Sequence, residues 1–329
     1  MIDVPPDDKM PIITPLSHRP VLCSHQDIFI YYIYLVPGNM VICARPDPLV
    51  QKVCELYAKI SKLETLSPSK DVDSLFTELV TTCTPLHPID VSKLCTKIQH
   101  IRNELILLCG RAEGLMEKHY STFLASFQNP LDHLHLFPYH SNYLKLGRVE
   151  FDLLSQHCPT PPTRVAFVGS GALPLTSIIL ATRHLKSAVF HNYDIDPTAN
   201  LMAARLVGTH SDLSGRMEFH TTDIMDASTG SDLRGYDVVF LAALVGMEMG
   251  EKMRVVGQLA EHMAPEAILM LRSAHGARAF LYPVVQPHDL RGFEVLSVYH
   301  PSDDVINSVI VARKYGGLGA FRFDCVDFS

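Results

Sequence analysis

The chain has 329 residues and carries 28 Lys and Arg against 35 Asp and Glu, a formal net charge of -7. This length is enough for two domains with cores of their own, and the lack of a basic run argues against a nucleic-acid partner. The longest apolar run, Ile28 to Pro37, is too short to span a bilayer. The 8 cysteines show no CxxC pair and no zinc spacing, so we predict reduced thiols in a cytoplasmic protein.

The first half of the chain predicts an extension followed by a helical domain. Residues 1–39 are proline-rich and lack a helical period, so they are expected to form an irregular extension outside the fold. Residues 40–157 then show apolar positions spaced by three and four, as in amphipathic helices. The predicted helices are one from Asp47, one capped by Asp71, and one from near Asp90 to about Phe127, where Asn129 and Pro130 stop it.

The second half predicts a sheet. Past the linker CPTPPT, residues 158–163, short apolar runs alternate with helical stretches, which is the pattern of βαβ units. Five runs, from VAFVG to AILMLRS, predict parallel strands, and FEVLSVYH with VINSVIVARK predicts an antiparallel pair. The predicted fold class is α/β: a Rossmann-like, class I methyltransferase-like sheet domain of the S-adenosylmethionine-dependent kind at residues 158–315, after the N-terminal α-helical domain. Residues 316–329 are expected to be a tail.

A glycine turn follows the first predicted strand, at the edge where ligands bind in such sheets. It consists of Gly169, Ser170 and Gly171, and its glycines let the backbone turn sharply and approach a ligand. The third glycine of a dinucleotide fingerprint is absent, which favours a ligand without pyrophosphate.

Acidic and small residues follow the next three strands. Asp194 lies where a carboxylate can accept hydrogen bonds from ribose hydroxyls, with Asp196 as its close competitor. Asp223 is expected to accept from an adenine amino group, and Ala242 belongs to a run of small residues over which a ligand can lie. A helix cap or a solvated turn is the alternative for any single Asp. Three acids at strand ends favour a nucleoside site.

The chain resembles the nicotianamine synthases of plants over about residues 40–314. The similar blocks are NPLDHLHLFPYHSNYLKL, FVGSGALPLTSI, FHNYDID, RMEFHTTD, YDVVFLAALVGM, HMAPEAILMLRSAHGARAFLYPVV and HPSDDVINSVIVARK. The resemblance implies a Rossmann-like domain with a helical lid domain, which joins three S-adenosylmethionine molecules into nicotianamine and releases three methylthioadenosines. S-adenosylmethionine is then the substrate, and no metal or further cofactor is expected.

Some features depart from this family. The chain has Ala172 where the family usually has Pro and His140 where it has a second Tyr, and residues 1–39 have no counterpart. Ala172 is expected to loosen the glycine turn, whereas His140 is expected near the reaction pocket and bears on turnover. Met40 resembles the family's usual start, so residues 1–39 are interpreted as a gene-model or isoform addition.

The third predicted helix carries candidates for proton transfer. In GRAEGLMEKHYSTF, the side chains of Glu113, Glu117 and Tyr120 share one helix face. Such a face could carry proton transfer, but it is also typical of an ordinary helix surface exposed to solvent. The resemblance implies a catalytic Glu from this helix and a Tyr from PYHSNY. We prefer Glu117 as the base with Tyr143 as its hydrogen-bonding partner, keep Glu113 and Tyr139 as near equals, and expect Tyr120 to contact substrate.

Further candidates follow the fifth strand and the third helix. Arg272 and His275 are expected either to hold a substrate carboxylate or to form a structural turn. His133 and His135 alternate in DHLHL, which sets them apart on a strand or a helix, so no metal site is predicted. Two rival functions stay open, a methyltransferase on the same fold and a non-catalytic S-adenosylmethionine-binding scaffold. The expected partner is the small-molecule substrate, and a homo-oligomer is left open.

Overall fold

The computed structural model describes residues 29–36, 39–226 and 233–316. Strands β1 (Phe29–Val36) and β2 (Asn39–Pro46) pair antiparallel and belong to one compact unit, while the chain from Leu49 onward forms another. The predicted irregular extension is therefore wrong for residues 29–36, and the helical domain expected from residue 40 begins with a strand. The physical reason is the run of β-branched and aromatic residues, which favours strand. Residues 1–28 and 37–38 of the extension, and 317–329 of the predicted tail, lie outside the described residues.

Four helices follow, α1 (Pro48–Ile60), α2 (Lys70–Cys83), α3 (Thr96–Leu124) and α4 (His140–His157). The predicted cap of α2 is wrong: Ser69 accepts the N–H of Val72, and Asp71 lies in the first turn. The predicted start of the long helix is also wrong. Asp90 accepts both the N–H and the hydroxyl of Ser92, which holds a separate 3₁₀ turn, and α3 begins only at Thr96.

A seven-stranded sheet forms the rest of the fold. Its strands are β3 (Arg164–Val168), β4 (Val189–Asp194), β5 (Met217–Thr221), β6 (Val238–Leu241), β7 (Ile268–Ser273), β8 (Phe293–Tyr299) and β9 (Ser308–Lys314), with α5 (Leu175–Ile179), α6 (Pro197–Val207) and α7 (Met249–His262) between them. The strand order is β5-β4-β3-β6-β7-β9-β8, parallel from β5 to β7, with β9 antiparallel to both its neighbours. The predicted α/β Rossmann-like fold and its antiparallel terminal pair are confirmed.

The hydrophobic core covers both faces of this sheet. On one face Phe167 and Phe190 pack with Leu124 of α3 and Leu154 of α4. On the other face the buried side of α7 packs against β6, β7 and β9. The helical layer thus shares a core with the sheet, which fixes α3 and α4 relative to the strand ends. Within the described ranges, no helix is long and apolar enough to cross a membrane.

Candidate active site

A cavity of about 380 Å³ opens at the carboxyl ends of β3, β4 and β6, and α3 closes its opposite side. This is the edge where ligands bind in sheets of this topology. Ten residues predicted from sequence contribute to its lining: Glu113, Glu117, Tyr143, Gly169, Ser170, Gly171, Asp194, Asp223, Ala242 and Arg272. The fold therefore brings most of the predicted site together, with Glu117 of α3 against the glycine turn.

The glycine turn is held in a conformation that other residues rarely adopt. Gly169 has φ +81° and Gly171 has φ +69°, both in the left-handed region. A Cβ at Gly169 would overlap Cγ2 of Val245, and a Cβ at Gly171 would overlap Oε2 of Glu117. The turn can therefore lie directly beneath the cavity and against the Glu117 carboxylate only because both positions lack a side chain.

Asp194 and Asp196 have different roles in the structure. Oδ2 of Asp194 accepts the N–H of Gly171 at 2.8 Å, and its side chain lines the cavity. Asp196 instead caps α6 by accepting the N–H of Thr198, and it forms an ion pair with Lys118 at 2.6 Å. Asp194 is thus the acid that faces the predicted nucleoside position, and Asp196 serves the helix terminus.

The remaining nucleoside candidates line the same cavity. Asp223 is exposed at its mouth, where its carboxylate accepts the N–H of Met225, and Ala242 is half-buried after β6. Ser170 is buried in the wall, and within the described part of the chain its hydroxyl has no hydrogen-bond partner. A buried hydroxyl without a partner is costly, so a ligand group bonded to Ser170 would be favoured.

The two glutamates of α3 are held by different partners. Glu113 accepts a hydrogen bond from Tyr282 at 3.0 Å, and Tyr143 acts with Tyr282 to lower its pKa against the effect of burial. The carboxylate of Glu117 lies against Gly171 of the glycine turn, and the backbone N–H groups of Ala172 and Leu173, directly after the turn, act to lower its pKa. Tyr143 on α4 lies close enough to both glutamates for their charges to raise its pKa, so its pairing with Glu117 stays a prediction.

Burial and mutual repulsion perturb the acids of the cavity. Burial is the main cause that raises the pKa of Glu113, and it raises the pKa of Glu117 well above the usual range with help from the nearby Glu113 and Asp194 charges. Burial likewise raises the pKa of Tyr143 and that of Tyr282 well above the ordinary value of a phenol. Such a cluster favours a ligand that supplies positive charge.

A second cavity, of about 190 Å³, adjoins the first. The residues that line both are Glu113, Tyr143, Tyr282 and Asn307. The rest of its wall is mostly apolar and comes from α2, α3 and the start of α4, and it includes Tyr120 and Tyr139. These two predicted residues therefore face the second cavity, and two small molecules can meet at the shared wall.

Comparisons with known proteins bear on this arrangement. The family model described as nicotianamine synthase protein matches residues 43–318. The chain belongs to the nicotianamine synthase family. Nicotianamine synthase of Solanum lycopersicum is 61% identical over 288 residues, which cover 85% of this chain and 90% of the relative. Probable nicotianamine synthase 4 of Arabidopsis thaliana is 62% identical over 273 residues, 82% of this chain and 84% of the relative.

Solved structures share the fold of this nicotianamine synthase family member. The structure of MtNAS in complex with MTA and tNA matches with a TM-score of 0.67 and 21% identity, covering 82% of this chain and 98% of that chain. A mutant of MtNAS in complex with S-adenosylmethionine gives a TM-score of 0.68 at 21% identity, covering 82% and 99%. At these identities the likeness supports the Rossmann-like fold alone.

Arg272 has a structural role in this member of the nicotianamine synthase family. Its Nε and Nη2 donate to Glu150 at 2.7 and 3.0 Å, and Nη2 also donates to Thr176 at 2.6 Å. Glu150 is fully buried, so this pair is enclosed in the protein. Glu150 and Thr176 thus occupy Nε and Nη2, while Arg272 also lines the first cavity, and its contact with a substrate carboxylate stays a prediction.

Several predicted histidines lie away from both cavities. His275 is exposed, stacks on His300 at 4.0 Å and lines neither of the two cavities. His140 begins α4 but lines neither cavity, although it is close in sequence to Tyr143. His133 stacks on Phe127, and its ring centroid is 6.3 Å from that of His135. The departure from the family at position 140 therefore does not change the lining of the cavities.

Two residues of the shared wall were not predicted from sequence. Tyr282 bonds to Glu113, and Asn307 comes immediately before β9. Within the described residues the buried Nδ2 of Asn307 has no acceptor. Both residues lie in family-like blocks, Tyr282 in HMAPEAILMLRSAHGARAFLYPVV and Asn307 in HPSDDVINSVIVARK, and these blocks were the signal that could have found them.

Proposed function

We propose that this chain is a nicotianamine synthase, which transfers aminocarboxypropyl groups between three S-adenosylmethionine molecules and closes an azetidine ring. The products are nicotianamine and three methylthioadenosines. The observation that carries the proposal is the wall of Glu113, Tyr143, Tyr282 and Asn307 shared by two cavities. A donor on one side and an acceptor on the other can react there, and membership of the family agrees with this chemistry.

The adenosine of the donor is assigned to the first cavity. Asp194 accepts one backbone N–H through Oδ2 and another through Oδ1, and a carboxylate has lone pairs left for ribose hydroxyls. Asp223 at the cavity mouth is suited to the adenine amino group, and Ala242 leaves room for the ring. The two glycines of the turn let its backbone approach the sugar closely.

The reacting carbon is selected by position. The sulfonium activates all three attached carbons, so the product depends on which carbon lies in line with the nucleophile. An amine that enters from the second cavity reaches the donor past Glu113 and Tyr143, which line both spaces. The proposal therefore requires the aminocarboxypropyl arm, and not the methyl group, to point at this wall.

We assign the proton-accepting role to Glu113 in preference to Glu117. The attacking amine is an ammonium at neutral pH and must lose a proton before it reacts. Glu113 lies on the shared wall, where Tyr282 orients its carboxylate, and burial raises its pKa toward the range useful for a base. Glu117 lies against the glycine turn and is suited to stabilise the positive charge of the bound donor.

Two buried polar groups are proposed to bind the substrate's own polar atoms. The Ser170 hydroxyl and the Asn307 Nδ2 line the first cavity, and within the described residues neither has a partner. Each can donate a hydrogen bond to a carboxylate of the aminocarboxypropyl arm. A neutral donor pair would hold that carboxylate without adding to the positive charge of the sulfonium.

The reaction is proposed to proceed without a metal ion, because the leaving group is already a neutral thioether. We also propose a cytoplasmic location, which free thiols at Cys54, Cys83 and Cys109 support. Full activity in the presence of a chelator, and recovery of the protein in the cytosolic fraction of its own cells, are the corresponding measurements.

The experiment that tests the function is incubation of the purified chain with S-adenosylmethionine, followed by mass spectrometry of the products. Nicotianamine with three equivalents of methylthioadenosine is the expected result. S-adenosylhomocysteine would instead show a methyltransferase, and ligand binding without turnover would show a scaffold, and either result overturns the proposal. A second version of the chain that starts at Met40 tests whether residues 1–39 affect turnover.

A further inference from the structure

A cluster of two histidines and a glutamate lies on the outer part of the sheet, away from the cavities. His191 is on β4, and Glu218 and His220 are on the neighbouring edge strand β5. In the parallel register His191 is opposite Glu218, and the three side chains emerge on the same face. The strand pairing therefore brings together residues that the chain separates by more than twenty positions.

The three ligand atoms form a compact triangle. Nδ1 of His191 is 3.0 Å from Nε2 of His220, and each of these nitrogens is 3.6 Å from Oε2 of Glu218. In a tetrahedral zinc site, metal–ligand distances of about 2.0–2.2 Å place neighbouring ligand atoms roughly 3.3–3.6 Å apart. The two edges to Glu218 match those of such a tetrahedron, and the 3.0 Å edge between the histidines is about 0.3 Å shorter than its lower bound. The exposed side of Glu218 leaves the fourth position to solvent.

From this geometry we infer that His191, Glu218 and His220 bind a divalent first-row transition metal ion such as Zn²⁺. Two imidazole nitrogens and one carboxylate oxygen are ligands that Zn²⁺ and its neighbours accept, whereas Ca²⁺ and Mg²⁺ prefer sites made of oxygen alone. The inference is independent of the proposed reaction, since none of these residues lines either cavity.

The surroundings of the cluster support ligation. His191 is half-buried on β4. The backbone under the other two ligands is fixed, because Asn192 Nδ2 donates to the carbonyl of Glu218 and Asn200 Nδ2 donates to that of His220. Two strands are thereby held at the spacing that a bound ion needs.

The site also adjoins the ligand-binding edge of the sheet. Asp194 ends β4 three residues after His191, and Asp223 follows His220 by the same distance. A bound ion would therefore clamp the two strands that carry the acids proposed to hold adenosine, although those acids are not ligands of the ion.

The test is a titration of the full chain, free of any polyhistidine tag and stripped with a chelator. Binding of Co²⁺ is measured by the visible absorption of the bound ion, and Zn²⁺ is then added to measure its affinity by displacement of Co²⁺. One tight site per chain is expected. His220→Ala and Glu218→Gln should each weaken binding by at least the roughly 10–100-fold that loss of an outer-shell partner causes. Both positions are more exposed than His191, so these variants are expected to fold.

Matched controls are His135→Ala and His288→Ala, which remove exposed imidazoles outside the cluster and should leave the affinity unchanged. Circular dichroism in the presence of chelator checks that every variant has the folded spectrum. Equal affinity in the wild-type chain and His220→Ala, or loss of the tight site in a control variant, would show that His191 and His220 form only a hydrogen-bonded pair and would overturn the inference.

Discussion

Gly171 in the glycine turn and Glu117 on α3 are in direct contact, and no other residue type fits at position 171. A Cβ there would overlap Oε2 of Glu117, and the backbone has φ +69°. Oδ2 of Asp194 also accepts the Gly171 N–H, so this one position joins the helix, the turn and β4. The helical layer and the edge of the sheet that lines the first cavity are therefore coupled through a single glycine.

Gly171→Ala is expected to destabilise the protein and to weaken binding of S-adenosylmethionine. The left-handed backbone alone costs about 1–2 kcal/mol for an alanine, and the overlap with Glu117 adds to this. Urea denaturation and calorimetric titration measure the two effects. Gly257→Ala on α7 is the matched control, because nothing lies within 4 Å of its added Cβ, and it should raise the stability by about 0.5–1 kcal/mol. Unchanged stability and affinity in Gly171→Ala would contradict the packing described.

Glu113→Gln is expected to bind S-adenosylmethionine but to slow formation of methylthioadenosine by about 10²–10⁴-fold, the usual contribution of a general base. Glu117→Gln should have the smaller effect on turnover and the larger effect on affinity, because Glu117 lies against the glycine turn. Single-turnover rates and binding constants separate the two. Glu104→Gln, on the same helix but outside both cavities, should behave as wild type. If Glu117→Gln slowed turnover more than Glu113→Gln, Glu117 would be the base and the assignment to Glu113 would be wrong.

The sheet and the nucleoside edge could be predicted because their signals are local. Each strand is a short apolar run, the glycines directly follow the first strand, and Asp194 directly follows the second. In a parallel sheet these positions necessarily meet at one edge, so sequence order is enough to place them together. The meeting of the glycine turn and Asp194 at one cavity was predictable for that reason.

The rest of the candidate site depends on how helices pack, which local patterns do not specify. Tyr282 donates to Glu113, which is 169 residues away in sequence. Arg272 pairs with Glu150, which is 122 residues away in sequence, and no short motif marks that partner. The strands at residues 29–36 and 39–46 were not predicted. The proline content of residues 1–39 favoured an irregular extension, although a β-branched and aromatic run within it favours strand.

Glu150→Gln is expected to destabilise the protein by about 3–5 kcal/mol. The substitution leaves the buried Arg272 guanidinium without its opposite charge, which costs far more than loss of an exposed pair. Asp152→Asn on the same helix is the matched control, because it removes an exposed ion pair with Arg148 and should cost no more than about 0.5 kcal/mol. Urea denaturation measures both, and a similar small loss in the two variants would show that the Arg272 pair contributes little.

Binding of S-adenosylmethionine is expected to release protons. Burial raises the pKa of Glu113 and Glu117 above the ordinary 4.5, so in the unliganded chain they keep protons as the pH rises past that value. The cationic sulfonium favours the carboxylates, so affinity should rise with pH through the window between 4.5 and the raised values.

The stability of the unliganded chain should change in the opposite direction with pH. In the unfolded chain the two glutamates lose their protons near pKa 4.5, whereas the folded chain still holds them above it. The folded state therefore binds more protons in this window, and the free energy of unfolding falls as the pH rises.

Calorimetric titrations with S-adenosylmethionine, in buffers of different ionisation enthalpy, count the protons released on binding. The double variant Glu113→Gln, Glu117→Gln should release none, and an equal release from it would assign the protons to other groups.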